Sequence, residues 1–163
     1  KLNGVNSSCS LSGLTLSKGN QHSATYINTD HVKPHCISSQ NFKSILNDMS
    51  SGVFNGRTVV QEDSQKTNSI QSNKNLLLSD KALMNSNPQL EIYADDVKCA
   101  HGSTTGALDK EALFYMQSRG INKDEASSLL IRGFASELIN EVQHEETKKY
   151  LLNKFDHWIR YYN

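Results

Sequence analysis

Short runs of strand-forming residues, separated by glycine and asparagine turns, fill the chain before Asp109 and constrain its fold more than any other feature. Residues 23–28 (SATYIN) and 89–93 (QLEIY) alternate polar and apolar side chains, as expected for strands with one buried face. No helical crossover separates the runs, and a β-helix connects parallel strands by coiling, so the pattern favours a parallel β-helix over a β-sandwich. The predicted strands are residues 9–16, 23–28, 36–40, 53–54, 58–61, 76–79, 89–93 and 97–99.

The dipeptide Asn55-Gly56 lies between two of these runs and predicts a break in the strand. A type I′ hairpin and the corner of a parallel solenoid both use such residues, because both need a positive φ. Local chemistry leaves these two alternatives open. In either case residues 53–54 and 58–61 are predicted to be separate strands.

The pattern becomes helical after Asp109, which is predicted to cap a first helix that ends before Gly120. Asn122 is predicted to cap a second helix, with Glu125 three residues later completing a capping-box pair. A third helix is predicted over residues 146–161. The apolar stripe predicted for the second helix consists of Ala126, Leu130, Gly133, Phe134 and Leu138.

The low hydrophobic fraction of 36% agrees with this arrangement. An elongated β-stack with a narrow core tolerates such a composition, and so does a disordered chain, but disorder would not produce the apolar runs. The chain is therefore predicted to be mainly β, with a β-rich domain over residues 1–108 and a small helical domain over residues 109–163.

The balance of charges and the length of the apolar runs exclude several functional classes. The chain carries 17 basic and 17 acidic residues, which argues against a dedicated nucleic-acid-binding protein. No apolar run approaches the roughly 20 residues that cross a bilayer, and no phosphate-binding GxxxxGK[ST] loop occurs. Three irregularly spaced cysteines favour a reducing compartment. A start at Lys1, directly before a strand-like run, is typical of a fragment.

Two groups of candidate metal ligands have a simpler structural interpretation. His31, His35 and Cys36 lie together in HVKPHC, but the intervening proline disfavours the helix that would align the histidines, so a polar corner is favoured. The adjacent carboxylates at 95–96 would face opposite ways on a strand, so a solvated turn is favoured.

Cys99 and His101 form a Cys-x-His pair that can point to one face of a strand. A thiolate and an imidazole can jointly hold a soft or borderline metal, but a tetrahedral centre needs two more ligands. Taken alone, a structural role is favoured, with Cys99 packed inside and His101 satisfied at a turn. If the pair binds a metal, the missing ligands are expected from another chain.

The first helix offers a candidate partner contact. Its apolar residues Leu113, Phe114 and Met116 are predicted to be core, whereas Tyr115 on the other face is the better candidate for an exposed contact.

Residues 88–121 (PQLEIYADDVKCAHGSTTGALDKEALFYMQSRGI) closely resemble the signature region of SufD in the SufB/SufD family. The motifs GVFNG at 52–56 and NLLL at 75–78 also match, so the resemblance covers nearly the whole chain as a C-terminal portion. It implies a right-handed parallel β-helix followed by a helical domain. Gly102 stands where SufB has an acidic residue, and SufB's double-cysteine segment is absent, which favours the SufD branch.

The resemblance also implies a non-enzymatic scaffold subunit of the SUF iron–sulfur cluster assembly complex. Such a subunit pairs with a SufB-like paralogue through the β-helix and binds the SufC ATPase through the helical domain, here with Tyr115, Arg119 and Gly120. The motif K-C-x-H-G places His101 as a transient iron or cluster ligand at the SufB interface, with weaker support for Cys99. No cofactor is expected to be tightly bound in isolation.

The expected compartment is the bacterial cytoplasm, with an organellar location left open. A homodimer of the isolated chain also stays open. Two alternative functions are a soluble accessory subunit of an ABC-type transporter and a carbohydrate-active β-helix protein.

Overall fold

The structure is a computed structural model that describes residues 1–160, in which seven strands precede three helices. The strands are β1 (Ser8–Ser17), β2 (His22–His31), β3 (Ile37–Leu46), β4 (Ser51–Val60), β5 (Asn68–Leu77), β6 (Leu83–Ile92) and β7 (Lys98–Gly106). The helices are α1 (Lys110–Ser118), α2 (Lys123–Ile139) and α3 (Glu145–Ile159).

The strands form two parallel sheets, ordered β1-β3-β5-β7 and β2-β4-β6. Consecutive strands therefore lie in different sheets, and each strand pairs with the strand two positions later in the chain. Ile37 of β3, for example, lies in register between Ser8 of β1 and Asn68 of β5. This arrangement is a parallel β-solenoid of about three turns, and the predicted β-helix followed by helices is confirmed.

Residues with positive φ recur at the same corner of successive coils. Asn6, His35 and Lys66 each lie two residues before a strand of the larger sheet, with φ between 61° and 62°. At the next corner Gly19 and Asp48 each lie two residues after such a strand. The corners therefore use the left-handed conformation, although only one of these five residues is the glycine that accepts it without strain.

The predicted break at Asn55-Gly56 is wrong, because β4 runs through both residues without interruption. A Cβ at Gly56 would lie 2.5 Å from Gln71 Nε2 and 2.8 Å from the Phe54 ring. The glycine therefore allows close packing inside the solenoid, and its φ is not positive.

The main hydrophobic cluster lies outside the solenoid, between the larger sheet and the helices. Ile45 of β3 and Leu76 of β5 pack with the apolar faces of α2 and α3. The space between the two sheets is mostly polar, with Gln40, Ser69 and Gln71 all buried there. The complete outer cluster is Ile45, Leu76, Ile131, Ala135, Ile139, Phe155 and Ile159.

The predicted ends of the first two helices are confirmed. Asp109 Oδ1 accepts a hydrogen bond from the backbone N–H of Glu111 at 2.8 Å, and Gly120 follows the end of α1 with φ of 89°. Asn122 Oδ1 accepts from the N–H of Glu125 at 2.9 Å. The change from strand to helix thus occurs between Gly106 and Lys110, and the division into separate domains 1–108 and 109–163 stays a prediction.

The third helix starts one residue before the predicted position and ends at Ile159, while the predicted end, Tyr161, lies outside the described residues. The stripe predicted for α2 is partly wrong. Gly133 is exposed and Phe134 only half-buried, because the helix face that packs on the sheet is centred on Ile131, Ala135 and Ile139. The buried residues of α2 are Ala126, Ser127, Ile131, Ala135, Leu138 and Ile139.

Candidate functional site at the open end of the solenoid

The last coil exposes two strand edges. Within residues 1–160, β7 pairs only with β5, and β6 pairs only with β4, so both strands have an unpaired side. Edge strands present unpaired N–H and C=O groups that can pair with another chain. The strands β1 and β2 form the corresponding edges at the opposite end.

Cys99 and His101 lie on this last coil and point towards the interior of the solenoid. Cys99 is in register with Ser69, and His101 with Gln71. Both partners on β5 are buried between the sheets, and residues in register on neighbouring parallel strands share a face. Cys99 and His101 therefore share one face of β7, as their spacing of two residues predicts. Because no coil follows, His101 is exposed and Cys99 is half-buried.

The two side chains differ in how readily they can bind a metal ion. Burial raises the pKa of the Cys99 thiol, an effect partly offset by a backbone hydrogen bond from Ser69. Because the thiolate is the form that binds metal, a raised pKa makes Cys99 a poorer ligand at neutral pH. His101 is the more accessible ligand of the two.

A hydrogen-bonded polar layer lies directly beneath this pair. Gln71 Nε2 donates to Gln40 Oε1 at 2.8 Å, and Gln40 Nε2 donates to the hydroxyls of Thr29 and Thr58 at 3.0 Å each. These interior glutamines were not identified from the sequence. Their only signal is the polar residue at alternate positions of ISSQ and SIQS, which a solvated strand face would show equally.

The last coil is also joined to the interior through small polar residues. Ser103 Oγ on β7 donates to Ser86 Oγ on β6 at 2.7 Å, and Ser86 Oγ donates to Asn73 Oδ1 at the same distance. These contacts link the two edge strands across the open end.

The group His31, His35 and Cys36 is dispersed over a corner, as the structural interpretation predicts. His31 is buried, its Nε2 lies 2.8 Å from Ser38 Oγ, and burial lowers its pKa. His35 is exposed at the corner, and Cys36 Sγ is buried and donates to the carbonyl of Gly4 at 3.2 Å. Among residues 1–160, no group of three or more His, Cys, Asp or Glu side chains is close enough to hold a metal ion.

The carboxylates at 95–96 also lie in a turn. Both are exposed, and Asp96 forms an ion pair with Lys66 at the neighbouring corner. The backbone N–H of Asp96 donates to Gln65 Oε1 at 2.9 Å. These contacts hold the turn against the preceding coil.

The helix α1 presents an exposed aromatic surface. None of its residues is buried, and Phe114 is 73% exposed, so the prediction that Phe114 is core is wrong. Tyr115 is 59% exposed, and the Arg119 guanidinium lies 5.3 Å from the centre of its ring. No residue of this short helix belongs to the hydrophobic cluster beneath α2 and α3, so that cluster does not enclose its apolar residues.

A buried lysine connects the larger sheet to α2 and was missed from the sequence. Lys43 Nζ donates to Glu137 Oε2 at 2.6 Å and to the carbonyl of Phe134 at 2.8 Å, and it lies 4.6 Å from the centre of the Phe134 ring. The hydrogen bond and charge of Lys43, followed by the charge of Lys74, lower the pKa of Glu137. A lysine on the outer face of a strand is ordinarily solvated, so only the docked helix reveals this role.

Comparison with known families agrees with this architecture. Residues 1–134 match the family described as "SUF system FeS cluster assembly, SufBD core domain". The chain belongs to the SufBD family. The matched residues include every strand of the solenoid, α1 and most of α2.

Two of the following three relatives carry the name SufD. The chain is 41% identical over 152 residues to "Iron-sulfur cluster assembly protein SufD" of Escherichia coli, covering 93% of this chain and 36% of the relative. It is 36% identical over 116 residues to the SufD protein of Bacillus subtilis, covering 71% and 26%. It is 40% identical over 120 residues to "Protein ABCI7, chloroplastic" of Arabidopsis thaliana, covering 73% and 25%.

This SufBD chain thus spans about a third or less of the length of these relatives. The family resemblance noted from residues 88–121 is confirmed, and this partial coverage is consistent with a C-terminal portion. None of the helices within residues 1–160 is both long and apolar enough to span a membrane.

Proposed function

We propose that this SufBD chain belongs to a non-enzymatic scaffold subunit of the SUF iron–sulfur cluster assembly complex. It pairs with a SufB-like paralogue through the open end of the solenoid and binds the SufC ATPase through its helices. The observation that carries the proposal is the exposed His101 beside half-buried Cys99 on an edge strand. The name SufD of two bacterial relatives supports the assignment to that branch.

The open end supports binding by a partner because it is incomplete in two respects. The edges of β6 and β7 leave backbone groups unpaired, and His101 with Cys99 supplies at most half of a tetrahedral ligand set. A paralogue docked on these strands would supply both the pairing strand and the missing ligands. Iron or a nascent cluster is the cargo of this site, held transiently by His101 and more weakly by Cys99.

The surface of α1 is proposed as the SufC contact. Tyr115 and Phe114 are exposed, and Arg119 lies against the tyrosine ring just before Gly120 turns the chain. Exposed aromatic and arginine side chains are the residue types that most often dominate protein interfaces. The Lys43–Glu137 pair then connects the helices to the sheet that carries His101.

ATP acts in this scheme by changing the state of the open end. A ligand shifts a conformational equilibrium only through different affinities for its two states. SufC dimerisation driven by ATP would therefore favour an arrangement in which the paired solenoids separate enough to expose His101 to iron or sulfide. The site holds no tightly bound cofactor in isolation.

The proposed location is the bacterial cytoplasm or an organelle of similar redox state, and the name of the chloroplastic relative supports the latter possibility for the family. The isolated subunit is proposed to form a homodimer through the same edges. The family assignment favours cluster assembly over the transporter-accessory and carbohydrate-active alternatives.

Substitution of the exposed histidine tests the ligand role. In the complete complex, His101→Ala should abolish cluster formation during anaerobic reconstitution, measured as bound iron and sulfide, while size-exclusion chromatography shows an intact complex. His35→Ala removes another exposed histidine at a distant corner and should leave the cluster yield unchanged. An undiminished yield with His101→Ala would contradict the proposal.

A pair of tyrosines with equal exposure tests the SufC contact. Tyr115→Asp should weaken SufC binding at least about tenfold, the range of an interface aromatic. Tyr150 on α3 is exposed to the same extent, 59%, so Tyr150→Asp is the matched control. Equal affinities of the two variants for SufC would place the contact elsewhere.

A further inference from the structure

We infer that Gln71 is a positioning residue for His101. Its side-chain carbonyl accepts a hydrogen bond from one imidazole nitrogen and thereby directs the other nitrogen out of the open end, towards the incoming ligand. The inference rests on the proposed role of His101 as a transient ligand. It adds the residue that sets the tautomer and the direction of that ligand.

The first observation is a buried, unpaired acceptor directly beneath the last coil. Gln71 is 1% exposed, and its Oε1 atom has no hydrogen-bond partner among the described residues. Buried amide oxygens are almost always hydrogen-bonded in folded proteins, so this atom requires a partner. Its own amide nitrogen is already occupied, because Gln71 Nε2 donates to Gln40 Oε1.

The second observation is the direction of the glutamine ladder. Gln40 Nε2 donates to Thr29 and Thr58, and its oxygen receives the hydrogen bond from Gln71. The bonds therefore run in one direction, from Gln71 on β5 to Gln40 on β3 and then to the two threonines, away from the last coil. The carbonyl of Gln71 is the one acceptor in this series of hydrogen bonds that has no donor within residues 1–160. Its donor should come from the neighbour on the side away from Gln40.

That neighbour is His101. The register places Gln71 between Gln40 on β3 and His101 on β7, with neighbouring strands about 4.8 Å apart. A neutral imidazole carries one N–H group. When the other ring nitrogen binds metal, this N–H group usually donates a hydrogen bond to an oxygen atom. His101 is exposed, so its ring has space on the solvent side in which to turn towards Gln71 Oε1.

The adjacent column of side chains differs, because the side chain beneath Cys99 is already hydrogen-bonded. Beneath Cys99, the hydroxyl of Ser69 is already hydrogen-bonded to Ser38 Oγ at 2.8 Å, and Ser38 lies 2.8 Å from His31 Nε2. The Ser69 hydroxyl therefore already has a hydrogen-bond partner, whereas Gln71 Oε1 has none among the described residues.

The tautomer of His101 in the full chain tests the inference. Long-range nitrogen–proton NMR of protein labelled with ¹⁵N-histidine distinguishes the two neutral tautomers, at a pH where the ring is neutral. Gln71→Met removes the acceptor and should change the tautomer ratio by about two- to tenfold, the size of one hydrogen bond. Gln71→Asn withdraws the carbonyl by one carbon, keeps a polar interior and should change the ratio in the same direction.

Ser69→Ala is the matched control, because it removes a buried hydrogen bond from the same strand beneath Cys99. It should leave the His101 tautomer ratio at its wild-type value. A ratio that is unchanged in both Gln71 variants, or changed equally by Ser69→Ala, would overturn the inference.

The test of the Gln71 role can fail independently of the test of the proposed function. If His101→Ala leaves the cluster yield undiminished while the Gln71 variants shift the tautomer ratio, the ligand role fails and the hydrogen bond stands. If His101→Ala abolishes the yield and the tautomer ratio does not depend on Gln71, only the positioning role fails.

Discussion

The two faces of the larger sheet are both covered, but by different chemistry. On the inner face, towards the smaller sheet, Gln40 and Gln71 are buried and hydrogen-bonded to each other. On the outer face of the same strands, Ile45 and Leu76 are buried by apolar contacts with α2 and α3. One sheet therefore has a polar interior face and an apolar face beneath the helices.

This difference explains where the candidate interface lies. Hydrogen bonds on the inner face are directional, and each coil supplies partners for the next, so the last coil is left with groups that need a partner. Apolar contacts are not directional and depend on the area removed from water, so the helices can cover the outer face within this chain. The open end is therefore the surface at which we propose that another subunit binds.

The largest predicted effect is on the apolar face. Phe155 is 1% exposed in the hydrophobic cluster, and Phe155→Ala should lower the free energy of unfolding by about 3–5 kcal/mol. Phe114→Ala, at a side chain 73% exposed, should change it by less than about 0.5 kcal/mol. Guanidinium unfolding measures both, and similar losses would show that the helices are not held by this cluster.

A smaller loss of stability is predicted for a substitution on the inner face. There the space between side chains, and not the apolar area buried, limits which residue fits. Gly56→Ala places a methyl group against Gln71 and Phe54 and should cost about 1–3 kcal/mol. Gly133 on the exposed side of α2 has open space around its Cβ position. Gly133→Ala should instead stabilise the chain by about 0.4–1 kcal/mol, because alanine restricts the unfolded chain. A stabilising Gly56→Ala would contradict the close packing described for the interior.

The ion pair between Lys43 and Glu137 should contribute least to the free energy of unfolding, and it should contribute only above acid pH. Glu137 has a lowered pKa in the folded chain, so its pairing with Lys43 stabilises the fold above the ordinary glutamate value of 4.5. That contribution is lost as the pH falls through the folded pKa. Glu137→Gln should therefore lower stability at pH 7 by up to about 1 kcal/mol, a value discounted because more than half of the carboxylate side chain is exposed.

Urea unfolding at several pH values checks this prediction. The difference between wild type and Glu137→Gln should disappear in acid, and it should shrink in a Lys43→Met background, where the ammonium is missing. A difference that persists unchanged at low pH would mean that Glu137 acts through packing and not through its charge.

The sequence by itself determined features that depend on neighbouring residues. The helix caps at Asp109 and Asn122 follow from side chains that bond backbone groups two or three residues away. The shared face of Cys99 and His101 follows from the two-residue period of a strand. The signature segment at 88–121 was sufficient for the family, which the match over residues 1–134 confirms.

Only the tertiary structure decided features that depend on contacts between coils and helices. Asn55-Gly56 carries a turn signal, but Gly56 lies within β4, where Gln71 from the next coil leaves no room for a larger side chain. Lys43 is charged, yet α2 buries it with Glu137. The unpaired carbonyl of Gln71 beside His101 exists because residues 30 positions apart in the chain become neighbours in register. A local pattern cannot encode such contacts, since it specifies which face a side chain occupies but not which residue it meets there.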